Sequence, residues 1–173
     1  MNGILLIVLC ILIFLYKDKI GFSDISLWND TKFKNSHNCY SYMIDDTTKR
    51  DEFIHPGDLS GDTSPIKSRI DCEKMTNLVL KDNPGAYTIQ DNSYTCPSTH
   101  YKGFLAIDPH KSKDYHFWTL RDPYGTWTHK RGEESVELYD RSGKLITDPS
   151  KSNNNYGDFN YSSNCSFFCI QKK

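Results

Sequence analysis

Neither sign of charge prevails in this 173-residue chain, where 21 Lys and Arg stand against 22 Asp and Glu. Without a basic excess to neutralise a phosphate backbone, the composition argues against nucleic acid as a partner. No Cys-x-x-Cys pair occurs, and none of the six cysteines has the spacing of a zinc module, so neither a metal nor a cofactor is expected. No internal repeat is visible. The roughly 150 residues that follow the N-terminal apolar run have room for one domain.

That run covers residues 3–16, from Gly3 to Tyr16, and is closed by Lys17-Asp18-Lys19. As a helix it spans roughly 21 Å, against a hydrocarbon core of about 30 Å, so crossing a membrane requires continuation to Phe22 with the lysines snorkelling. No Lys or Arg precedes it, and Gly21-Phe22-Ser23 is the best cleavage site, so the expectation is an uncleaved signal-anchor with a cleaved signal as the rival. The protein is thus expected in a membrane, cellular or viral, with a single pass and the membrane itself as a partner. Two signals conflict over the side. Lys17 and Lys19 would hold the domain on the cytoplasmic side, while the sequons at Asn29, Asn160 and Asn164 matter only on the other.

Five cysteines follow the apolar run (Cys39, Cys72, Cys96, Cys165 and Cys169), an odd number that leaves one unpaired within the chain if the compartment is oxidising. Cys165 and Cys169 stand four apart on one expected strand face, where they cannot easily bond each other; Cys72 and Cys96 are the better partners. Residues 17–37 are polar and aperiodic and read as a stalk. A helix is expected from Asn38 to residue 50, with Tyr40, Met43, Ile44 and Thr47 on one face, and a second from Ser64-Pro65 to Asn83-Pro84-Gly85. Aromatics make up 13% of the chain, with 11 Tyr, and the sequence beyond Gly85 breaks into short β-branched and aromatic stretches. Strands are expected at 86–90, 104–107, 115–120, 126–130, 137–139, 144–147 and 166–170, with an exposed loop at 152–163. Helices first and an antiparallel sheet after make an α+β domain.

The hairpin expected around Pro123-Tyr124 carries the chemistry. If that turn is central, Trp118 faces His129, and the period-two alternation puts His116, Trp118, Leu120, Trp127 and His129 on one face. Cys39 meanwhile opens the helix capped by Asn38. A thiolate is the attacking form of cysteine, and a helix N-terminus and an imidazolium both favour it. A cysteine with a base and an orienting group is the layout of a nucleophilic hydrolase. A disulfide partner or buried thiol is the alternative for Cys39, and a packed core histidine for His116. His55, His100 and His110 read as solvated loop residues, Glu133-Glu134 as solvated charge, and His37 carries no role.

In its order of Asn38-Cys39, Pro56-Gly57-Asp58, His116 and His129, the chain resembles the papain-like NlpC/P60 and CHAP group of amidases and peptidases. The resemblance implies a papain-like domain over 38–173, after an anchor or signal at 1–22 and a stalk at 23–37. It also implies Cys39 as nucleophile, His116 as general base and His129 as orienter, with a peptide or peptidoglycan-type amide as substrate. The blocks Asn-Cys-Tyr-Ser-Tyr, Pro-Gly-Asp-Leu-Ser-Gly, Asp-Tyr-His-Phe-Trp and Trp-Thr-His-Lys-Arg-Gly are similar to those of uncharacterised phage, bacterial and large-DNA-virus proteins, over roughly residues 38–170. The alternative expectation is a disulfide-stabilised structural or binding protein with other virion or membrane proteins as partners.

Overall fold

The structure is a computed structural model that describes residues 25–62, 70–110, 114–121 and 126–173. The expected membrane segment, the Ser64-Pro65 helix start and the Pro123-Tyr124 turn lie outside those residues. Among the described residues no helix is long and apolar enough to cross a membrane. The elements in chain order are α1 (Ile25–Asn29), α2 (Thr31–Lys34), α3 (Cys39–Met43), α4 (Cys72–Asp82), β1 (Tyr87–Ile89), β2 (His100–Ile107), β3 (Tyr115–Leu120), β4 (Thr128–Lys130), β5 (Val136–Glu137), a 3-10 turn at Pro149–Lys151, and β6 (Ser163–Gln171). The strands form one six-stranded sheet in the order β1-β6-β2-β3-β4-β5, and every neighbouring pair is antiparallel. Helices followed by an antiparallel sheet is the α+β arrangement read from the sequence.

Alternation across the strands divides the interior in two. Leu105, Ile107, Tyr115, Phe117, Phe168 and Ile170 face the helices, where they meet Tyr40 and Met43 of α3 and Met75, Leu78 and Val79 of α4. Phe104, Ala106, Trp118, Trp127 and Phe167 build the opposite face together with Ile146 and Tyr161. Gly103 allows α3 to lie close to β2, because a Cβ there would come within 2.7 Å of the Met43 sulfur.

Local chemistry moves several expected boundaries. The helix at Cys39 ends at Met43 instead of continuing to residue 50. Asp45 adopts φ 53°, a left-handed conformation that no helix continues through. Arg121 holds that corner through a 2.8 Å bond to Asp45 and another to the Tyr42 carbonyl. The next helix begins at Cys72, where the Asp71 carboxylate accepts the backbone N–H of Lys74. Residues 144–147 form no strand; Leu145 makes only an isolated bridge to Tyr139. Residues 25–37, expected as a stalk, instead carry α1 and α2 and pack onto the domain. Trp28 is fully buried, edge-on to Tyr42 and to His37.

Both cystines are anchored in β6, as Cys72–Cys165 and Cys96–Cys169, with Cα separations of 5.0 and 5.7 Å. The expectation that Cys165 and Cys169 share a face is overturned by a bulge. In the register with β2, Leu105 pairs with Ser166 and Ala106 with Asn164, so Cys165 is skipped. The extra residue turns Cys165 towards the helix-side core, where Cys72 waits. Cys169 follows Phe168, which faces the helices, and so points the other way.

Candidate active site

Cys39 is the first residue of α3. The helix starts there because the Asn38 side chain accepts the N–H groups of Tyr40 and Ser41 at 3.1 and 3.0 Å. The Asn38 amide also donates to the Ile54 carbonyl at 2.7 Å, which ties the cap to the next loop. Cys39 is the free cysteine among the described residues.

His116 and His129 come from adjacent strands. Trp118 pairs with His129 and Thr119 with Thr128, the register expected from the sequence. His116 and His129 are therefore diagonal neighbours on one face, with Nε2 of His116 2.8 Å from Nδ1 of His129. The pair sits within aromatic walls: His116 stacks on Tyr161 at 5.1 Å and lies edge-on to Trp118 at 4.5 Å.

Cys39 and His116 line a single cavity of about 460 Å³, together with His55, Asp114, Arg131, Tyr156 and Tyr161 among others. Antiparallel pairing of β3 with β4 covers Trp118 and Thr119 only, so the β3 edge is uncovered level with Phe117. A backbone hydrogen bond from Phe117 reaches Cys39 there. The thiol thus arrives from the helix side, and the imidazole from the opposite face, around the edge of one strand.

Three structural devices hold this arrangement, and the sequence reading singled out none of them. Lys130, which is 0% exposed, donates to the carbonyls of Lys34, His37 and Gly132. Those carbonyls bracket the approach to Asn38-Cys39. Buried Asp82 accepts from the Tyr40 hydroxyl at 2.8 Å and from the N–H groups of Gly57 and Ser60 at 2.7 and 2.9 Å. That pins the Pro56-Gly57-Asp58 loop against α3, and the loop in turn presents His55, whose Nδ1 lies 2.5 Å from the Tyr115 hydroxyl. His55 is therefore a half-buried residue of the cavity wall, bonded to Tyr115, and not merely a loop side chain in solvent. Finally the 152–163 segment folds back over the pair, with Tyr161 buried and Tyr156 in the cavity wall. Periodicity could not show this, because a loop rich in Asn, Ser and Tyr has no hydrophobic pattern. His37 is also placed: its ring is bonded to Ser36 and to the Thr48 carbonyl.

Burial governs the charge states. It pushes the Cys39 thiol up to about 12, against a weaker opposing effect of the Phe117 backbone. Burial, then the neighbouring His129 and Arg131, hold His116 well below the usual histidine range. Burial draws His129 down to about 4, although Glu137 works in the other direction. The expected thiolate–imidazolium pair is therefore replaced by a thiol and two neutral imidazoles. Two physical reasons account for the difference. A five-residue helix has little dipole to offer an anion, and the burial of both side chains disfavours charge on either.

Among the described residues no group of three or more His, Cys, Asp or Glu is arranged to hold a metal ion. No protein-family model, no curated protein and no solved structure matches this chain.

Proposed function

We propose that this domain is a papain-like cysteine amidase or peptidase acting on peptide or cell-wall-type amide bonds, anchored to a membrane by residues 1–22. The observation that carries the reading is the free Cys39 thiol opening onto the same cavity as His116, whose ring is hydrogen-bonded to His129 behind it. Because thiol and imidazole are both neutral, attack proceeds by general base catalysis. The sulfur adds to the substrate carbonyl as its proton passes to His116, and the C–N bond breaks as His116 returns that proton to the departing amine. Water, deprotonated by His116, then cleaves the thioester and restores the thiol. In this reading the Cys39 backbone N–H, which the Asn38 side chain does not consume, is one donor to the oxyanion.

Two cystines support an oxidising compartment for the domain, in opposition to the flanking lysines. Incubation of the full chain with peptidoglycan sacculi and with a peptide library, read by mass spectrometry, tests the activity. Expected are cleaved amides and a hydroxylamine-labile acyl adduct on Cys39, both absent in Cys39→Ser and His116→Ala. Cleavage that persists in Cys39→Ser, or no cleavage by the wild type, refutes it.

One observation favours a second reading. Cys39 is only 6% exposed and its thiol is pushed up to about 12, which suits a disulfide-stabilised structural or binding protein of a membrane or virion without turnover. In that case an iodoacetamide probe leaves Cys39 unlabelled until the protein unfolds.

A further inference from the structure

His129 has a second neighbour that belongs to neither the proposed triad nor the cavity wall. Across β4 and β5 its register partner is Glu137, which puts both side chains on the same sheet face. Glu137 Oε2 lies 3.8 Å from His129 Nε2, and the other carboxylate oxygen pairs with Arg131 at 3.0 Å. Tyr156 completes this end of the ring, with its hydroxyl 3.4 Å from Nε2 and its own ring beneath the Arg131 guanidinium at 4.8 Å. The Tyr139 backbone also hydrogen-bonds to His129.

We propose that Glu137 is a positioning residue that fixes, through His129, the tautomer of His116 that leaves Nδ1 as a base. At 3.8 Å the carboxylate lies beyond hydrogen-bond reach of Nε2, and its negative charge favours the His129 tautomer that turns an N–H dipole towards it, with the proton on Nε2. A neutral imidazole has one N–H, and Nδ1 of His129 is then a lone pair. The 2.8 Å bond between the rings must in consequence be donated by His116 Nε2–H. That leaves His116 neutral with its lone pair on Nδ1, the nitrogen not engaged by His129. Burial keeps both rings uncharged at neutral pH, so the chain of tautomers is the resting state. Arg131 holds the carboxylate in place without competing for the imidazole.

The catalytic consequence rests on the hydrolase reading, since only a hydrolase needs a base at that nitrogen; the tautomer itself does not. In that reading, a proton taken at Nδ1 makes His116 an imidazolium whose Nε2–H still donates to His129. Glu137 then compensates the charge from two rings away.

The two levels are tested separately. Full-length protein labelled with 15N-histidine, in detergent micelles at pH 7, is examined by long-range 1H–15N correlation, with His116→Asn and His129→Asn assigning the rings. Expected are Nε2–H tautomers for both rings in the wild type. In Glu137→Ala both rings become mixtures of tautomers. A wild-type His116 protonated on Nδ1 overturns the proposal. So does a Glu137→Ala protein that keeps both tautomers, which would leave the assignment to Tyr139 and Tyr156. No substrate is needed for this measurement. Failure of amide cleavage with intact tautomers therefore refutes the hydrolase and leaves the Glu137 relay standing.

Discussion

The ammonium of Lys130 and the carbonyl of His37 are 2.5 Å apart, and that bond stops the chain one residue ahead of the Asn38 cap. Lys130 lies in β4 directly after His129, so the two sides of one strand serve different ends. One residue faces the imidazole pair, and the next reaches through to the backbone that delivers Cys39. Burial draws the Lys130 ammonium down to about 8, which still leaves it mainly protonated at neutral pH.

Replacing Lys130 with Met should orphan three buried or half-buried carbonyls at once. A loss of about 3 kcal/mol or more is expected, measured by urea unfolding. Labelling of Cys39 by iodoacetamide in native buffer should also become faster, because the segment that covers it is no longer tied. A Lys130→Met protein with wild-type stability and unchanged labelling would mean that the bonds contribute nothing.

Gly57 adopts φ 103°, and a Cβ there would meet the Asp62 carbonyl oxygen at 2.1 Å. Gly57→Ala should therefore disturb the loop that Asp82 holds, with a loss of about 2 kcal/mol or more. Gly143→Ala is the comparison: its φ is also positive, but nothing lies within 4 Å, so it should cost about 1 kcal/mol. Equal midpoints for the two variants in thermal unfolding would contradict the crowding at Gly57.

Peptide mapping without reduction should recover Cys72 joined to Cys165 and Cys96 joined to Cys169, with Cys39 as a free thiol. Sequence separations of 93 and 73 residues imply that removing either link costs about 2–5 kcal/mol. Cys72→Ser with Cys165→Ser, and Cys96→Ser with Cys169→Ser, measure the two links in turn. Recovery of Cys39 in a mixed pair would overturn both the pairing and the proposed nucleophile.

Acid should destabilise the domain through its imidazole pair. His129 titrates near 4 in the folded protein and at about 6.5 when unfolded. Above pH 6.5 neither state carries the proton. As pH falls from 6.5 towards 4 the unfolded chain takes it up and the folded one does not, so stability drops by about one proton's worth of slope from His129. Below 4 that slope disappears. Urea unfolding at pH 7, 5.5 and 4.5 should show a smaller fall in His129→Asn than in the wild type, and an identical fall would show that His129 is not shielded.

What was legible in the sequence follows from periodicity. The strand at Tyr115–Leu120 and the pairing of Trp118 with His129 could be read because alternation and a short turn leave one register that buries both tryptophans. The odd cysteine count foretold one unpaired thiol, though not which. Three things had no local signal. The bulge at Cys165 depends on the partner strand, since nothing in Asn164-Cys165-Ser166 marks an extra residue. The burial of Cys39 depends on the 37–38 backbone being held by a lysine some ninety residues away. Finally, Tyr156 and Tyr161 lie in a segment whose composition reads as exposed loop, and only its closure over β3 makes them part of the site.

The position of β6 has a consequence for biosynthesis. This strand comes last in sequence order yet lies between β1 and β2. While the chain is being made, β1 has no partner and β2 presents an open edge, and the two halves of the sheet cannot join until residues 163–171 are available. Exposed strand edges of this kind invite pairing with other chains. Until then the sheet stays in two parts, and the strand that closes it brings both of the cysteines that lock it from opposite faces.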